Sequence, residues 1–415
     1  MREDPMDIVT VQLTKMAHGG DALGRHEGKV IFVPYTIPGE TVRVRIVEDK
    51  GHYAFAQLIE VVEPSRHRVD PPCPYFGQGK CGGCQWQHIG YDAQLQLKAG
   101  ILADQLERIG GVEKPRVHST LPDESGWMYR NHAQFRPARE GGLGFKRVSS
   151  DDVIAIDYCM ILHPLLSDLY GMIDLDVEGL VRLVLRVGTA TDDRLIGFEM
   201  EGDMPPALVS DEAVSCVLLL NDGGYANLVG DNSVTEVVAE RSYRVSATSF
   251  FQVNTLQAAE LVRQAMAYLD LQGNETVLDA FCGVGLFTIH LAEQAELVIG
   301  VESSPSAVDD LLENTEGHDN IEIVEGIVED VLPEITVPLD AALLDPPRGG
   351  IDRFALDALV ELGPERIVYV SCDPATLARD AKRLRSSGYR LIETQPVDLF
   401  PQTYHVESVS LFIAV

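Results

Sequence analysis

Five short apolar runs in the second half of the chain constrain its fold more than any other feature. They occupy residues 276–280, 297–301, 321–324, 341–344 and 367–370. Helical patterns over 257–269 and 286–294 alternate with them. Short, largely apolar runs of this length are typical of parallel strands that are buried on both faces of a sheet. The alternation therefore predicts a C-terminal α/β Rossmann-like domain, in which ligands bind beyond the carboxyl ends of the strands.

Three of the predicted strands end in residues that suit a nucleotide-like cofactor. After the first strand, Gly283 and Gly285 let the backbone turn tightly and approach a ligand. Glu302 ends the second strand, where a carboxylate can accept hydrogen bonds from two ribose hydroxyls, and Asp345 ends the fourth. A lone glycine turn is a weak signal, and Glu302 by itself is more often an exposed strand-end acid. The complete series resembles the class I S-adenosylmethionine-binding fold more than a dinucleotide site.

The N-terminal segment alternates apolar and polar residues over 9–13, 29–33, 41–46 and 54–61, with turn residues between the runs. Several short strands at this spacing predict a small β-barrel. The run from Gly28 to Pro34, followed by Ile37-Pro-Gly-Glu40, resembles the TRAM module, an OB-like barrel that binds RNA. A generic small barrel without a ligand is the alternative.

Five sequence motifs lie between residues 249 and 407, and they include the glycine turn and a cysteine near the C-terminus. They are Ser249-Phe-Phe-Gln-Val-Asn254, Asp279-x-Phe-Cys-Gly-x-Gly285, Asp345-Pro-Pro-Arg-x-Gly350, Ser371-Cys-Asp-Pro-Ala-Thr-Leu-Ala-Arg-Asp380 and Asp398-x-Phe-Pro-Gln-Thr-x-His-Val-Glu407. Together with the TRAM-like start, they make essentially the whole chain resemble the uracil-C5 RNA methyltransferases. A cysteine directly after a strand, such as Cys372, is usually inert packing, but this resemblance implies that it is a nucleophile.

The resemblance also implies a specific chemistry. C5 of uracil is a poor nucleophile, and addition of the Cys372 thiolate at C6 gives an enolate whose C5 can attack a methyl sulfonium. Glu407 is the implied general base for the C5 proton, whereas without the motif it would be taken for a solvated surface acid. The implied cofactor contacts are Gln252, Phe281, Glu302 and Asp345. Leu286 departs from the family pattern, because many relatives carry a polar residue there.

Four cysteines of the central segment form a second constellation. Clustered cysteines in a cytosolic chain suggest metal binding or catalysis before disulfides. Their pattern resembles the [4Fe–4S] site in the iron–sulfur branch of this family, with ligands Cys73, Cys81, Cys84 and Cys159. Seven residues separate the first two cysteines, which is more than the family pattern and implies a loop insertion. Tetrahedral zinc is the main rival, since it also binds four thiolates.

The formal net charge of −31 argues at first sight against a nucleic-acid partner, because phosphates repel an acidic protein. The segment 66–147 differs, with 12 Lys and Arg against 8 Asp and Glu. The predicted RNA-contact surface lies within it and comprises Tyr129-Arg-Asn-His-x-x-Phe135 with Arg136, Arg139, Lys146 and Arg147. An ordinary solvated charged face is the alternative.

These patterns predict a multidomain chain with three parts. Residues 1–62 form the TRAM-like OB barrel, 63–245 a central α+β domain with the cysteine cluster and RNA surface, and 246–415 the catalytic domain. A helix over about 91–110 is expected to pack on the catalytic domain. The chain lacks an apolar run of about 18 residues and an apolar signal-peptide core, so we expect a cytoplasmic monomer without membrane contact.

The expected partner is a structured RNA from which the target uridine is flipped out. Resemblance to the iron–sulfur branch favours 23S ribosomal RNA, and transfer RNA is the alternative. An iron–sulfur redox protein and a non-catalytic RNA-binding protein are the alternative functions. The fourth cysteine argues against an iron–sulfur redox protein, because it leaves no open iron, and the intact Cys372 and Glu407 argue against a non-catalytic RNA-binding protein.

Overall fold

The computed structural model of the chain describes residues 8–173, 178–202, 204–206 and 213–415. The prediction that the chain has no signal-peptide core rests on the first six residues, which lie outside these ranges. Among the described residues, no helix is both long and apolar enough to cross a membrane. A barrel, a central sheet and a C-terminal sheet follow one another along the sequence.

Five strands close the N-terminal barrel, one more than the sequence pattern predicted. They are β1 (Ile8–Met16), β2 (Ala22–His26), β3 (Lys29–Val33), β4 (Thr41–Asp49) and β5 (Tyr53–Glu63). Their order around the barrel is β1-β2-β3-β5-β4. The extra strand, β2, contains Gly24, where an added Cβ would lie 2.1 Å from the carbonyl oxygen of Gln12. This glycine therefore permits the close approach of two strands and does not mark a turn.

The central part is built around a mixed seven-stranded sheet. Its helices are α1 (Tyr91–Arg108) and α2 (Pro164–Gly171). Its strands are β6 (His132–Pro137), β7 (Leu143–Lys146), β8 (Val153–Ala155), β9 (Leu180–Val187), β10 (Arg194–Met200), β11 (Ser215–Leu219), β12 (Tyr225–Val229), β13 (Ser233–Val238) and β14 (Arg241–Ser246). The sheet order is β12-β11-β10-β9-β6-β7-β8, and β13 pairs with β14 in a separate ribbon. Phe135 of β6 stacks on Phe145 and Tyr170, whereas the alternating His132 and Gln134 line a cavity.

The C-terminal part is the α/β sheet that the apolar runs predicted. Its helices are α3 (Thr255–Leu269), α4 (Thr288–Ala292), α5 (Pro305–Asn314), α6 (Val328–Val331), α7 (Arg353–Leu362) and α8 (Pro374–Ser386), with a 3₁₀ turn at Leu332–Glu334. Its strands are β15 (Thr276–Ala280), β16 (Leu297–Glu302), β17 (Ile321–Glu325), β18 (Ala341–Leu344), β19 (Arg366–Ser371), β20 (Tyr389–Val397) and β21 (Glu407–Ala414). The order is β17-β16-β15-β18-β19-β21-β20, and β21 runs antiparallel to both of its neighbours. Apolar clusters on the two faces of this sheet form the largest cores.

The barrel and α1 both pack against the C-terminal part. Helix α1 contacts α8 and β20. The indole Nε1 of Trp86 donates a 3.1 Å hydrogen bond to the carbonyl oxygen of Gly20 in the barrel. Nε2 of His18 lies 3.3 Å from Oδ2 of Asp373, in the loop that follows β19. The barrel thus touches the C-terminal part beside the end of β19. The domain boundaries at residues 62 and 245 stay predictions.

Candidate functional site

Cys372 lies in the turn between β19 and α8. The side chain of Asp373 caps α8 by accepting 2.9 Å hydrogen bonds from two amides of its first turn, which fixes the turn. In the ladder between β19 and β21, Ser371 pairs with Ser408. One step further along both strands lie Cys372 and Glu407. The antiparallel strand β21 therefore brings the predicted nucleophile and the predicted base to one end of the sheet.

Burial and acidic neighbours keep the thiol of Cys372 protonated at neutral pH. Burial raises the pKa of Cys372 to about 12, and the charges of Glu407 and Asp345 add to this effect. Glu407 is 3 % exposed, and burial together with Asp345 raises its pKa well above the usual range. Arg348 and Lys98 lower the pKa of Glu407. A cationic ligand would therefore favour ionisation of both groups.

The glycine turn after β15 adopts a backbone that most residues avoid. Phe281, Gly283 and Gly285 have positive φ angles of 65°, 56° and 94°. A Cβ at Gly285 would lie 2.7 Å from Cδ1 of Leu311, whereas one at Gly283 would meet nothing within 4 Å. Gly285 thus allows tight packing, and Gly283 leaves open space beside the strand ends. The positive φ of Phe281 is strain of the kind that collects at binding sites.

Three acids surround this turn at the ends of β15, β16 and β18. Glu302 accepts hydrogen bonds from three backbone amides, including that of Gly283 at 2.9 Å. Burial and the charge of Asp279 raise the pKa of Asp345 to about 7. Asp279 is fully buried, and Oγ1 of Thr288 donates to one of its oxygens at 2.6 Å. The other oxygen of Asp279 has no hydrogen-bond partner in the described part of the chain.

This acid set fits S-adenosylmethionine, which carries a sulfonium, an ammonium group and ribose hydroxyls. Unpaired carboxylates attract the cations, and strand-end carboxylates accept hydrogen bonds from hydroxyls. Asp279 was not singled out from the sequence as a contact, although its place at the end of β15 is the same signal that selected Glu302. Leu286 is buried in the hydrophobic core, so its side chain serves packing.

Gln252 lies in the loop between β14 and α3 and is 6 % exposed. Its carbonyl oxygen accepts a 3.1 Å hydrogen bond from Nδ2 of Asn131. Two residues further on, Asn254 caps the N-terminus of α3. Gln252 lines a cavity of about 540 Å³ together with Phe250, whose side chain is largely exposed. Arg186 of the central sheet lines the same cavity. The cavity therefore has walls from both the central and the C-terminal parts.

The four predicted metal-binding cysteines line one larger cavity of about 1230 Å³. Among the residues with described positions, no three His, Cys, Asp or Glu side chains are grouped so that they could hold one metal ion. Tetrahedral zinc with bonds of about 2.3 Å needs sulfur atoms within about 3.8 Å of one another. A four-iron cluster holds its cysteines farther apart. The cysteines thus face one space without forming a single-ion site, and the iron–sulfur prediction is not confirmed by this geometry.

The two cavities share a polar wall. Arg130, His132, Gln134 and Arg348 line both of them. Arg348 is exposed and forms no hydrogen bond or ion pair with another described residue. A guanidinium that has no carboxylate partner remains available to a phosphate or a base. The groove from the cysteines to Gln252 is therefore lined by basic side chains despite the acidity of the whole chain.

Part of the predicted RNA-contact surface is wrong. Tyr129, Asn131 and Phe135 are 6 %, 4 % and 0 % exposed, so they cannot contact RNA from these positions. Asn131 instead donates to Glu236 and to the Gln252 loop. The motif that contains these residues therefore supports the loop that carries Gln252. Three of the basic side chains are also engaged within the protein, namely Arg139, Lys146 and Arg147.

Comparison with known proteins agrees with this architecture. The family model of the TRAM domain matches residues 6–59, and that of tRNA (uracil-5-)-methyltransferase matches residues 232–414. An uncharacterized RNA methyltransferase of Halalkalibacterium halodurans is 35 % identical over 98 % of this chain and 96 % of its own length. One from Streptomyces avermitilis is 36 % identical over 97 % of each chain.

A solved structure matches almost the whole chain. It is the Pyrococcus abyssi tRNA (uracil-54, C5)-methyltransferase in complex with S-adenosyl-L-homocysteine. The TM-score is 0.77 at 27 % identity, and the match covers 97 % of this chain and 99 % of that one. These matches confirm the TRAM barrel and the C-terminal methyltransferase domain that the sequence motifs predicted.

Proposed function

The chain belongs to the family of S-adenosylmethionine-dependent RNA uracil-5-methyltransferases, and from this membership we propose that it methylates a uridine through Cys372 and Glu407. The observation that carries the proposal is the register of β19 and β21, which brings these two residues together at the strand ends beside Asp345. S-adenosylmethionine supplies the methyl group when it is bound. The contacts proposed for it are Gln252, Phe281, Gly283, Gly285, Glu302 and Asp345, with Asp279 added from the structure.

The proposed reaction requires two proton movements at the protein. The Cys372 thiol gives its proton to water, and its sulfur bonds to C6 of the uracil while the electron pair of the C5–C6 double bond moves towards the ring carbonyl. C5 would then take the methyl group as the bond from that methyl to the sulfonium sulfur breaks, so that S-adenosylhomocysteine is the leaving group. Glu407 removes the remaining proton from C5, and the released pair breaks the bond between sulfur and C6, which restores the thiolate. A base with a raised pKa suits this step, because it accepts a proton near neutral pH.

We also propose that Cys73, Cys81, Cys84 and Cys159 hold a [4Fe–4S] cluster, because all four cysteines line one cavity. A fully ligated cluster would have a structural or RNA-positioning role. Protein purified without oxygen should then be brown and contain about four irons per chain. Colourless protein with one bound zinc would favour the rival assignment.

Ribosomal RNA is the first proposed substrate. The basic groove between the two cavities supports a structured RNA as the ligand. The TRAM barrel and the cysteine set resemble the branch that acts on 23S ribosomal RNA. Transfer RNA is the second candidate, because the Pyrococcus abyssi enzyme that matches nearly the whole chain acts on a transfer RNA uridine. A cytoplasmic monomer is the form proposed for either substrate.

Methyl transfer from labelled S-adenosylmethionine to unmodified ribosomal and transfer RNA, side by side, tests the proposal. Label should appear in 5-methyluridine of one RNA. Cys372→Ala should lose all product while its affinity for the cofactor stays within about twofold, since the thiol is needed for chemistry alone. Cys216→Ala, which truncates a buried core cysteine, is the matched control and should keep turnover. Turnover by Cys372→Ala would overturn the mechanism.

A further inference from the structure

Lys98 is fully buried although lysine side chains rarely are, unless they are paired. It lies on α1, and its Nζ donates a 2.5 Å hydrogen bond to Oδ1 of Asp398 and a 2.9 Å hydrogen bond to the carbonyl oxygen of Phe400. Both side chains of the ion pair are 0 % exposed. Burying such a pair costs free energy that a pair of apolar residues would not, so its presence calls for a reason beyond stability.

The strand register locates this pair beside the proposed base. Val397 pairs with Glu407 in the ladder of β20 and β21, and Asp398 directly follows Val397. The loop between β20 and β21 therefore begins at Asp398 and ends just before Glu407, at one end of the sheet. Lys98 contacts this segment at two points, which ties α1 to the same end of the sheet.

Three charged groups and one thiol act on Glu407 from the elements around it, and only two of the four are cations. Asp345 and Arg348 face it from the loop after β18, Cys372 from the loop after β19, and Lys98 from α1. Arg348 is exposed and lines the groove, so water screens its charge. Lys98 is the buried cation of this set. Its charge lowers the pKa of Glu407, whereas burial raises it.

We propose that Lys98 is a positioning residue of the reaction, whose buried ammonium group favours the ionised form of the Glu407 carboxylate, the form that accepts the C5 proton. The inference rests on the proposed function of Glu407. An ammonium group has three donors, and Asp398 and Phe400 accept from two of them. Asp398 holds the cation in place across the sheet end, which explains why the pair lies in the interior of the protein.

The test measures release of tritium from RNA that carries uridine labelled at C5, because this release reports removal of the C5 proton directly. Release rates are recorded against pH for the whole protein and for Lys98→Met. The variant should be roughly tenfold slower at pH 7 and should regain rate as pH rises, since a shift of one pH unit in the acidic limb is tenfold in rate. Lys382→Met removes an exposed lysine of α8 and should leave the profile unchanged.

A double variant separates this role from folding. Lys98→Met alone leaves the Asp398 carboxyl buried without its cation, which can destabilise the fold. Lys98→Met with Asp398→Leu removes both charges, and its profile should stay displaced to higher pH although the protein folds. A profile like that of the unaltered protein in either variant would overturn the proposal. Absence of tritium release from the unaltered protein would count against the proposed function instead.

Discussion

Two groups of buried carboxylates in this molecule differ in how they are paired. Where the barrel meets the central part, Glu40 accepts hydrogen bonds of 2.6 and 2.8 Å from Arg68 and two more from backbone amides. Burial raises the pKa of Glu40, but these hydrogen bonds more than offset it, so its pKa is lowered. Asp310 is likewise held by Arg244 and by two serine hydroxyls.

Asp279, Asp345 and Glu407, at the strand ends of the catalytic sheet, form no ion pair with another residue in the described part of the chain. Burial raises the pKa of Asp279 and Asp345 to about 7, and burial also raises the pKa of Glu407 well above its usual range. Each of these acids also lies near another acid, whereas Glu40 and Asp310 each have an arginine. Carboxylates that support the fold are thus neutralised by the protein itself. Those at the site are left to be neutralised by protons or ligands, as is common where a protein binds or reacts.

The largest expected difference between the two groups is in activity. Glu407→Gln should abolish turnover and trap a covalent complex with RNA, because Cys372 still adds to C6 but the C5 proton cannot leave. Its unfolding free energy should not fall, since no cation is left without a partner. A denaturing gel with labelled RNA detects the complex. A variant that turns over slowly without any trapped complex would assign the base to another residue.

The converse substitution should cost stability and spare chemistry. Glu40→Gln leaves the partly buried Arg68 without its carboxylate and should lower the unfolding free energy by about 2–3 kcal/mol. The stabilisation from Glu40 is present above its unfolded pKa and is lost as pH falls through its lower folded pKa. The difference between the two proteins should therefore shrink in acid. Proteolysis in graded urea measures the difference in unfolding free energy. If Glu40→Gln also loses activity per folded molecule, Glu40 does not serve the fold alone, and the distinction between the two groups of carboxylates fails.

The strands of the catalytic sheet could be predicted from the sequence because each is encoded by the pattern of its own few residues. The runs 276–280 and 341–344 coincide with β15 and β18, since strands buried on both faces are mostly apolar. Strand β2 was not predicted because residues 22–26 do not alternate apolar and polar side chains. Its inward residues are Ala22 and Gly24, and the closeness of Gln12 explains why Gly24 is a glycine. Glycine marks both turns and close strand contacts, and the sequence does not distinguish them.

The candidate site could be predicted in part. Motifs indicated Cys372 and Glu407, but the β19–β21 register that unites them is visible only in the fold. The pair of Lys98 and Asp398 joins residues 300 positions apart, which no local pattern reveals. Phe135 was assigned to the RNA surface because its neighbours are basic, yet the alternation of β6 turns it into the core.

The smallest expected effect tests whether the unpaired acids cost stability. Asp279 has a folded pKa of about 7, so between its unfolded value near 4 and pH 7 the unfolded chain binds fewer protons than the folded one. Stability should therefore fall as pH rises through this window and level off above it. Asp279→Asn cannot ionise and still accepts the hydrogen bond from Thr288, so it should escape this loss.

Relative to the unaltered protein, the unfolding free energy of Asp279→Asn should thus rise by about 1–2 kcal/mol between pH 5 and pH 8. This is less than the full pKa shift of Asp279 would give, because the fold relaxes around a buried charge. Proteolysis in graded urea at the two pH values measures the gain without cofactor. Saturating S-adenosylmethionine should reverse it, since a bound cation stabilises the ionised Asp279 and has no such partner in the variant. If the stability of the two proteins depends equally on pH, the charge of Asp279 is as well compensated within the protein as that of Glu40. The contrast between the two groups of carboxylates would then not hold at the end of β15.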